Sequence, residues 1–289
     1  ISLFKNLKKV YSYKFSWVKF FKIIYLEKIC VTFSDTIKFA LLPLPNLYFT
    51  IHDMREWTEF SRKKIFKKIF KKILLKYIVK KSNKLITVSS FQKKKIKEVF
   101  KKNSFVIENG LSEDWSIKKI KNKEKIIKEK YIIYVSNFSS NKNHLSLEKQ
   151  SEAFKNYKIV LVGRATDKNG EKIINSLKKN NYIFLKNVKE DRLAKLVYFS
   201  EFVIFPSSYE GFGIPVIEAI KLNKKVLVNN APSLAHFKKF KLIKHVNFNS
   251  KLKNSDILWA TKRNFKKNSL KAVISWRQVS KKIKNLIHV

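Results

Sequence analysis

From about residue 131 onward, short apolar runs alternate with segments of helical periodicity, and this alternation restricts the fold more than any other feature of the chain. The apolar runs have the length of buried strands and cover 131–135, 158–162, 182–185, 202–205 and 225–228. Helical patterns lie between them, near 145–154, 171–179 and 191–199 and after Pro215. Parallel strands need such crossover helices, because each connection must return to the starting edge of the sheet. The alternation predicts an α/β fold with a parallel, doubly wound sheet.

The first half of the chain is less regular but carries similar signals. We expect strands at 47–51, 85–88 and 105–107, each followed by polar or turn residues. The polar, lysine-rich stretch 112–130 separates this half from the regular alternation. A chain of 289 residues is long enough for two domains. We therefore expect one Rossmann-like domain over 1–117, a second over 118–270, and a closing helical segment over 271–289.

A strongly basic segment, 61–81, lies between the first two of these strands and carries apolar side chains at helical spacing. Two interpretations stay open. In the first, an ordinary helix packs its apolar stripe on its own domain and solvates its lysines. In the second, the segment docks on an anionic membrane, where each well-placed lysine contributes about 1 kcal/mol.

The net charge of +43 invites a nucleic-acid-binding interpretation. Arginine makes the bidentate contacts to bases and phosphates, but it is scarce here, and the lysines are spread along the whole chain. We therefore expect solvated lysine faces and no nucleic-acid partner.

The cysteine content and the hydropathy favour a cytoplasmic protein. The single cysteine, Cys30, cannot form a disulfide within the chain, which favours a reducing compartment. No apolar run reaches the ~18 uncharged residues that a membrane-spanning helix requires, because lysines and a glutamate interrupt the stretch 15–33.

The loop after the apolar run 202–205 carries the clearest signs of chemistry. Gly211 and Gly213 open a tight loop, and Pro215 is suited to the first turn of the helix that follows. Helix N-termini at the carboxyl ends of parallel strands favour phosphate. Two carboxylates, Glu210 and Glu218, bracket this loop and can accept hydrogen bonds from sugar hydroxyls.

The order and spacing of several segments resemble the retaining glycosyltransferases of family 4, whose GT-B fold has two facing Rossmann-like domains. Glu210 and Glu218 match the family's E-x7-E pair. Other matching segments are 131–143, 161–164 and 191–213 in the second half, 50–53, 87–91 and 107–110 in the first half, and 275–276, where the family's last helix crosses back to the first domain.

The resemblance implies a role for each matching residue. Lys142 would neutralise the donor diphosphate, Glu210 would contact the transferred sugar, and His52 would line the cleft from the opposite domain. These three are the catalytic candidates, and leaving-group stabilisation is the main catalytic effect expected. Glu218 would hold the ribose of the donor. The remaining donor-binding candidates are Gly211, Phe212, Gly213, Asn137, Gly163, Arg164 and Val188.

The implied reaction transfers a sugar from a nucleotide-diphosphate donor to a glycan or lipid-linked acceptor, in bacterial surface polysaccharide assembly. It needs no cofactor and no divalent metal, and we find no Asp-x-Asp pair or His/Cys cluster to bind one. The resemblance places the protein in the cytoplasm, and contact with the inner face of the cytoplasmic membrane fits a lipid-linked acceptor.

The chain departs from the family's pattern at three places. Ser136 and Asn137 stand where the family often has Gly or Arg, so Arg164 or a lysine would have to supply the second phosphate-binding cation. Asn223 stands near a usual glycine, and Asn tolerates the left-handed conformation that ends a helix. His52 comes early, so we expect the first domain to lack its first strand and glycine-rich loop.

Plainer interpretations of the same residues stay open. Glu218 could lie in the first turn of its helix and complement the helix dipole. His52 could be an ordinary residue at a strand end, and Lys142 is distinguished only by its position. At the level of the protein, the alternatives are a non-catalytic remnant that binds sugar nucleotides and a basic binder of nucleic acid or membrane surfaces.

Overall fold

The structure is a computed structural model that describes residues 32–35, 46–58, 65–178, 182–262 and 273–287. The chain divides into two units. The first comprises Ile1–Gly110 with Trp276–Val289, and the second comprises Leu111–Ser275. The first domain predicted from the sequence ended at residue 117, so 111–117 fall in the second unit instead. The strand and glycine-rich loop expected to be missing concern residues 1–31, which lie outside the described residues.

In the described part of the first unit, four parallel strands form one sheet in chain order. They are β1 (Thr32–Ser34), β2 (Leu47–Ile51), β3 (Lys84–Thr87) and β4 (Phe105–Val106). β1 was not predicted, because Thr-Phe-Ser is too short and too polar to form an apolar run. It pairs with β2 in parallel, with Thr32 opposite Leu47 and Ser34 opposite Phe49.

Three helices of the first unit follow β2 and β3: α1 (Arg55–Thr58), α2 (Ile65–Lys81) and α3 (Ser90–Phe100). α3 begins where the hydroxyl of Ser89 accepts a hydrogen bond from the amide of Gln92 at 3.3 Å, as an N-cap serine does. It ends at Lys101, whose φ of 54° is left-handed. A buried cluster joins the strands to these helices; it contains Leu47, Phe49, Ile51, Met54, Ile78, Val79, Leu85 and Ile96.

The second unit contains six parallel strands among its described residues. They are β5 (Tyr131–Val135), β6 (Lys158–Val162), β7 (Tyr182–Leu185), β8 (Val203–Phe205), β9 (Val226–Asn229) and β10 (Ile243–Val246). Their order in the sheet is β10-β9-β8-β5-β6-β7. Every strand pairing in both sheets is parallel, which confirms the predicted α/β fold class. The strand order reverses between β5 and β8, and such a reversal opens a crevice for ligands.

Helices connect these strands. The α-helices are α4 (Ile117–Ile120), α5 (Lys168–Leu177), α6 (Glu190–Phe199), α7 (Ile214–Lys221) and α8 (Asn254–Thr261), and 3-10 helices cover Ser140–Lys142, His144–Gln150 and Pro232–Lys239. The helix expected near 145–154 is therefore a 3-10 helix that ends at Gln150. The last helix, α9 (Trp276–Ile287), is grouped with the first unit, where Lys84 Nζ donates a hydrogen bond to the carbonyl of Leu286 at 3.0 Å.

The C-terminus of α7 shows how a helix can end here without glycine. Asn223 adopts a φ of 58°, and the amide of Lys224 donates back to the carbonyl of Ala219 at 2.9 Å. This geometry satisfies carbonyls that the last turn would otherwise leave unpaired. The expectation that Asn223 takes the place of a glycine is confirmed.

The stretch expected to separate the domains is anchored to the second unit. Trp115 is almost fully buried and donates its indole N–H to Glu190 Oε1 at 2.9 Å. The Ser112 hydroxyl donates to the same oxygen at 2.6 Å. Both contacts fix this stretch to the start of α6. Among the described residues, no helix is long and apolar enough to cross a membrane.

Candidate functional site

The loop after β8 lies at the reversal of strand order, and hydrogen bonds fix it to its neighbours on both sides. Asn141 is the centre of these contacts. Its side-chain amide donates to the carbonyl of Tyr209 at 3.0 Å, and its carbonyl accepts from the amide of Ser208 at 2.8 Å and from the hydroxyl of Ser207 at 3.0 Å. From the other side, Asn229 at the end of β9 donates to the carbonyl of Ser207 at 3.2 Å. The loop is therefore held before any ligand arrives.

Lys142 and Glu210 meet in this loop as a two-pronged ion pair. Lys142 Nζ lies 2.7 Å from Glu210 Oε1 and 2.8 Å from Oε2. The two side chains are only 20% and 10% exposed, so water screens the pair weakly. The backbone N–H of Glu210 donates to the hydroxyl of Ser233 at 3.1 Å. The structure thus brings together two of the three catalytic candidates.

The ion pair is bordered by a buried tyrosine. Tyr134 donates its hydroxyl to the carbonyl of Lys142 at 2.8 Å. Burial first, and the negative charge of Glu210 second, raise the pKa of Tyr134 well above its ordinary value. Tyr134 therefore stays neutral and supports the lysine backbone rather than exchanging protons.

The N-terminus of α7 is built from a glycine and a proline. Gly213 precedes the helix with a φ of 97°, a left-handed value that a side chain would strain. In this part of the chain, no side chain caps the helix start. Phe212 is buried and stacks on His236, with ring centroids 5.5 Å apart and planes 17° apart. The start of α7 therefore relies on backbone rather than side-chain groups, as phosphate-binding helix N-termini do.

A second loop, between β5 and the Ser140–Lys142 turn, packs directly on the end of β6. A Cβ on Gly163 would lie 1.9 Å from the carbonyl oxygen of Ser136, so only glycine permits this approach. Backbone bonds continue the pairing here, from Ser136 to Val162 at 2.9 Å and from Phe138 to Arg164 at 3.0 Å. The side chains of Asn137 and Arg164 are exposed on these two loops. Asn137, Gly163 and Arg164, three of the donor-binding candidates, therefore lie side by side.

The sequence did not single out His144, which lies two residues after Lys142. Its ring stacks on Phe138 with centroids 4.3 Å apart, and its Nε2 lies 3.3 Å from the Ser136 hydroxyl. Burial, together with the positive charge of Lys142, lowers the pKa of His144 to about 3. His144 is therefore a neutral ring that supports the loop from beneath.

Glu218 lies on α7 beyond its first turn, which contains no acidic residue. The interpretation of Glu218 as a partner of the helix dipole is therefore wrong, because the dipole acts mainly within the first turn. Burial is the main cause that raises the pKa of Glu218 to about 8, and the charge of Glu190 adds to it. Val188 is half-buried just before α6, which begins at Glu190. This corner of the second unit therefore holds two carboxylates, one of them protonated near neutral pH.

His52 belongs to the first unit and follows β2. It is exposed, and its Nε2 lies 3.7 Å from Asp35 Oδ2. It also lines a cavity of about 290 Å³, together with Asp53, Trp57, Lys71 and Lys72. The structure thus places the third catalytic candidate in a cavity at the carboxyl end of its own sheet.

Several residues that support the site have weak sequence signals. Asn141 and His144 flank Lys142, and the density of polar residues around that lysine was their only signal. Ser233 and Asn229 act from distant segments and leave no local pattern. Within the described residues, no group of three or more His, Cys, Asp or Glu side chains could hold a metal ion. The expected independence from metal stays a prediction.

Comparisons with known proteins agree with this geometry. Residues 116–247 match the family model described as Glycosyl transferases group 1. Over 200 residues the chain is 29% identical to the O-antigen chain mannosyltransferase RfbU of Salmonella typhimurium, in a match that covers 65% of this chain. The chain spans about half the length of that relative, since the match covers 53% of it.

Solved structures show the same fold at low identity. Sucrose-phosphate synthase from Thermosynechococcus elongatus aligns with a TM-score of 0.74 at 16% identity, over 94% of this chain and 75% of that one. HepE from Anabaena, in complex with UDP and glucose, aligns with a TM-score of 0.68 at 14% identity, over 92% of this chain and 79% of that one. The two parallel sheets and these likenesses identify a GT-B fold, and the match over residues 116–247 identifies a glycosyl transferases group 1 domain within the second unit.

Proposed function

We propose that this chain transfers a sugar from a nucleotide-diphosphate donor to an acceptor hydroxyl, with retention of the anomeric configuration. The Lys142–Glu210 pair carries the proposal. It places one cation and one carboxylate, both largely shielded from water, beside a glycine turn that starts α7. These are the groups that a diphosphate and a sugar require.

The chemical step breaks the bond between the anomeric carbon of the sugar and the donor phosphate. Negative charge develops on the departing diphosphate, while the acceptor oxygen forms the new glycosidic bond and its proton leaves to the diphosphate or to water. A preorganised cation and helix N-terminus stabilise such charge at little reorganisation cost. Lys142 and the Gly211–Gly213 backbone supply these groups, and Arg164 is the second cation of the phosphate site.

Glu210 has a double role in this proposal. Before the donor arrives, its carboxylate holds Lys142 Nζ in place through two contacts. When the diphosphate draws the ammonium group away, the carboxylate can accept hydrogen bonds from sugar hydroxyls. Glu218 accepts from the ribose hydroxyls, and the Val188 backbone faces the base. The role of His52 in the reaction stays a prediction.

The similarity to the O-antigen chain mannosyltransferase supports the proposed acceptor class. A glycan or lipid-linked acceptor in bacterial surface polysaccharide assembly fits that similarity, and such assembly begins on the cytoplasmic side of the membrane. The HepE structure contains UDP and glucose, which supports a nucleotide-sugar donor.

Thermal unfolding with a panel of nucleotide sugars, including UDP-glucose and GDP-mannose, tests donor binding. A ligand at 100 times its dissociation constant adds about 2.7 kcal/mol to stability, so the true donor should raise Tm measurably. Glu210→Gln and Lys142→Met should each remove this shift. Glu152→Gln is the matched control, because Glu152 pairs with Lys155 at 2.6 Å on an exposed surface. A shift that survives in both site variants would contradict the assignment.

A further inference from the structure

The side-chain amide of Asn141 spans the two loops that carry the Lys142–Glu210 pair. Asn141 directly precedes Lys142 in the chain. Its Nδ2 donates to the carbonyl of Tyr209 at 3.0 Å, and Tyr209 directly precedes Glu210. Each residue of this hydrogen bond is therefore the neighbour of one member of the ion pair, about 3.8 Å away between Cα atoms. A change in the hydrogen bond reaches both charges through a single peptide unit.

Ser139 determines the orientation of this amide. Its hydroxyl donates to Asn141 Oδ1 at 2.9 Å. The carbonyl of Tyr209 can only accept, so the NH2 end of the amide must face it. Asn141 is only 7% exposed, and a buried polar group that loses its partner costs free energy because water does not replace the bond. The amide is therefore held in one orientation between the two loops.

The backbone of Asn141 holds the same loops together independently of its side chain. Its carbonyl accepts from the amide of Ser208 at 2.8 Å and from the hydroxyl of Ser207 at 3.0 Å. A substitution at position 141 leaves this carbonyl in place. Loss of the side chain should therefore displace the loops slightly rather than separate them.

The neighbouring amide of Asn143 makes weaker contacts, which lie farther from the ion pair. Its Nδ2 donates to the carbonyl of Pro206 at 3.3 Å and to Asn249 Oδ1 at 3.2 Å. Pro206 lies four residues before Glu210, whereas the partner of Asn141 lies one residue before it. Of these two amides, that of Asn141 has the shorter and nearer link to the charged pair.

We propose that Asn141 is a positioning residue, whose side-chain amide sets the geometry of the Lys142–Glu210 pair through Tyr209. The two contacts of that pair, at 2.7 and 2.8 Å, require both side chains to meet in a space that water barely enters. A small displacement of one loop would admit water and screen the charges. Asn141 acts through its neighbours and contacts no reacting atom.

The consequence for catalysis rests on the proposed sugar transfer. Catalysis depends on contacts that are stronger in the transition state than in the bound donor. A displacement of about 1 Å in such groups can cost on the order of 100-fold in rate. Loss of the amide should therefore lower kcat for donor cleavage more than it weakens donor binding.

Urea unfolding tests the positioning role without any donor. The coupling between Lys142→Met and Glu210→Gln is obtained from the two single variants and the double variant, in the unaltered chain and again with Asn141→Ala. Asn141→Ala should reduce this coupling by about half or more, because water screens a loosened pair. Ser139→Ala removes only the bond that orients the amide, and it should give a smaller reduction.

Tyr131→Phe is the matched control for Asn141→Ala. Tyr131 is buried at the opposite end of β5, and its hydroxyl donates to the carbonyl of Leu196 at 2.7 Å. Removing this bond should lower stability and leave the coupling unchanged. If Asn141→Ala behaves in the same way, its role is structural only and the proposal is overturned. If Asn141→Ala does not fold, unchanged coupling in Ser139→Ala overturns the proposal instead.

Hydrolysis of the bound donor, with water as acceptor, supplies the second measurement. Asn141→Ala should lower kcat by on the order of tenfold or more and change KM by less than about threefold, whereas Tyr131→Phe should change neither. A higher KM with unchanged kcat would overturn the role of Asn141 in the reaction. A chain that never cleaves a donor, but loses coupling with Asn141→Ala, would contradict the proposed function and support the positioning role.

Discussion

At the scale of single residues, the Lys142–Glu210 pair is the centre of the proposed chemistry, and its shielding from water makes it important for local stability as well. Removing one partner of a shielded ion pair leaves the other charge uncompensated, at a cost of about 3–5 kcal/mol. Lys142→Met alone should therefore destabilise the protein more than Lys142→Met combined with Glu210→Gln. Urea unfolding of the single and double variants measures this difference.

The exposed pair between Glu152 and Lys155 is the control for that experiment. Its side chains are 78% and 63% exposed, so water screens the two charges, and the same cycle of variants there should show much weaker coupling than the Lys142–Glu210 cycle. If the two cycles give equal values, the Lys142–Glu210 pair is not the shielded pair described here.

The raised pKa of Glu218 predicts how the stability of the folded chain depends on pH. Its pKa rises from 4.5 to about 8 in the folded chain, so between these values the folded state holds a proton that the unfolded state has lost. Its stabilising contribution is complete below pH 4.5 and is lost as the pH rises through about 8. As the pH rises from 5 to 9, Glu218→Gln should therefore gain stability relative to the unaltered chain, by on the order of 4 kcal/mol, because each pKa unit corresponds to about 1.4 kcal/mol. Urea unfolding across this pH range shows whether the stability difference has the expected sign. Glu171→Gln, a change at an exposed position on α5, is the control.

Donor binding should also involve this proton. Hydrogen bonds from ribose hydroxyls favour the ionised carboxylate, so binding near pH 7 should release a proton from Glu218. Calorimetry in buffers of different ionisation enthalpy would detect the release, and Glu218→Gln should abolish it. A donor that binds without proton release would argue against ribose contact by Glu218.

At the scale of elements, the approach of the β5 loop to β6 depends on Gly163. A Cβ there would meet the backbone of Ser136 at 1.9 Å, and backbone cannot move aside as a flexible side chain can. Gly163→Ala should cost about 2 kcal/mol or more, as other strained or overpacked sites do, and should weaken donor binding. Thr166→Ala, a change at an exposed position in the same loop, is the control. Unaltered stability of Gly163→Ala would contradict the described packing.

Elements with a strong apolar period could be predicted from the sequence, and elements defined by tertiary contacts could not. β5, β6 and β8 are buried strands, and their apolar runs identified them. β1 has three residues and β10 mixes Ile and Val with Lys and His, so neither forms an apolar run. Exposed Ile69 and Phe70 and buried Ile78 all belong to the apolar pattern of α2, because the period of a helix shows which residues share a face but not what covers that face.

The candidate site was predictable in part for the same reason. Glu210, Gly211 and Gly213 stand in one short segment whose chemistry can be read locally. The contacts that hold this segment come from Asn141, Ser233 and other residues distant in sequence, and only the fold brings them near.

At the scale of the whole molecule, the net charge of the chain predicts a second kind of binding, which is electrostatic and distinct from donor binding. A chain with a net charge of +43 should bind nucleic acid weakly and without sequence preference. This binding should fall steeply with salt, and it should persist in Glu210→Gln and Glu218→Gln. Filter binding at salt concentrations from roughly 50 to 500 mM measures this affinity, because contacts between lysines and phosphates are lost over about that range. Sequence-specific binding that survives high salt would contradict the interpretation of the lysines as solvated surface.

The central claim is that the Lys142–Glu210 site of this chain cleaves a nucleotide sugar with retention. Slow hydrolysis of the bound donor, with water as acceptor, tests it without knowledge of the natural acceptor. The substrate is an α-linked nucleotide sugar that raises Tm, and its hydrolysis is followed by NMR. The free sugar should appear first as the α-anomer, before mutarotation produces the β-anomer. Glu210→Gln should abolish this release and Glu152→Gln should not. Initial release of the β-anomer, release that is unchanged in Glu210→Gln, or a bound donor that is never cleaved would contradict the account.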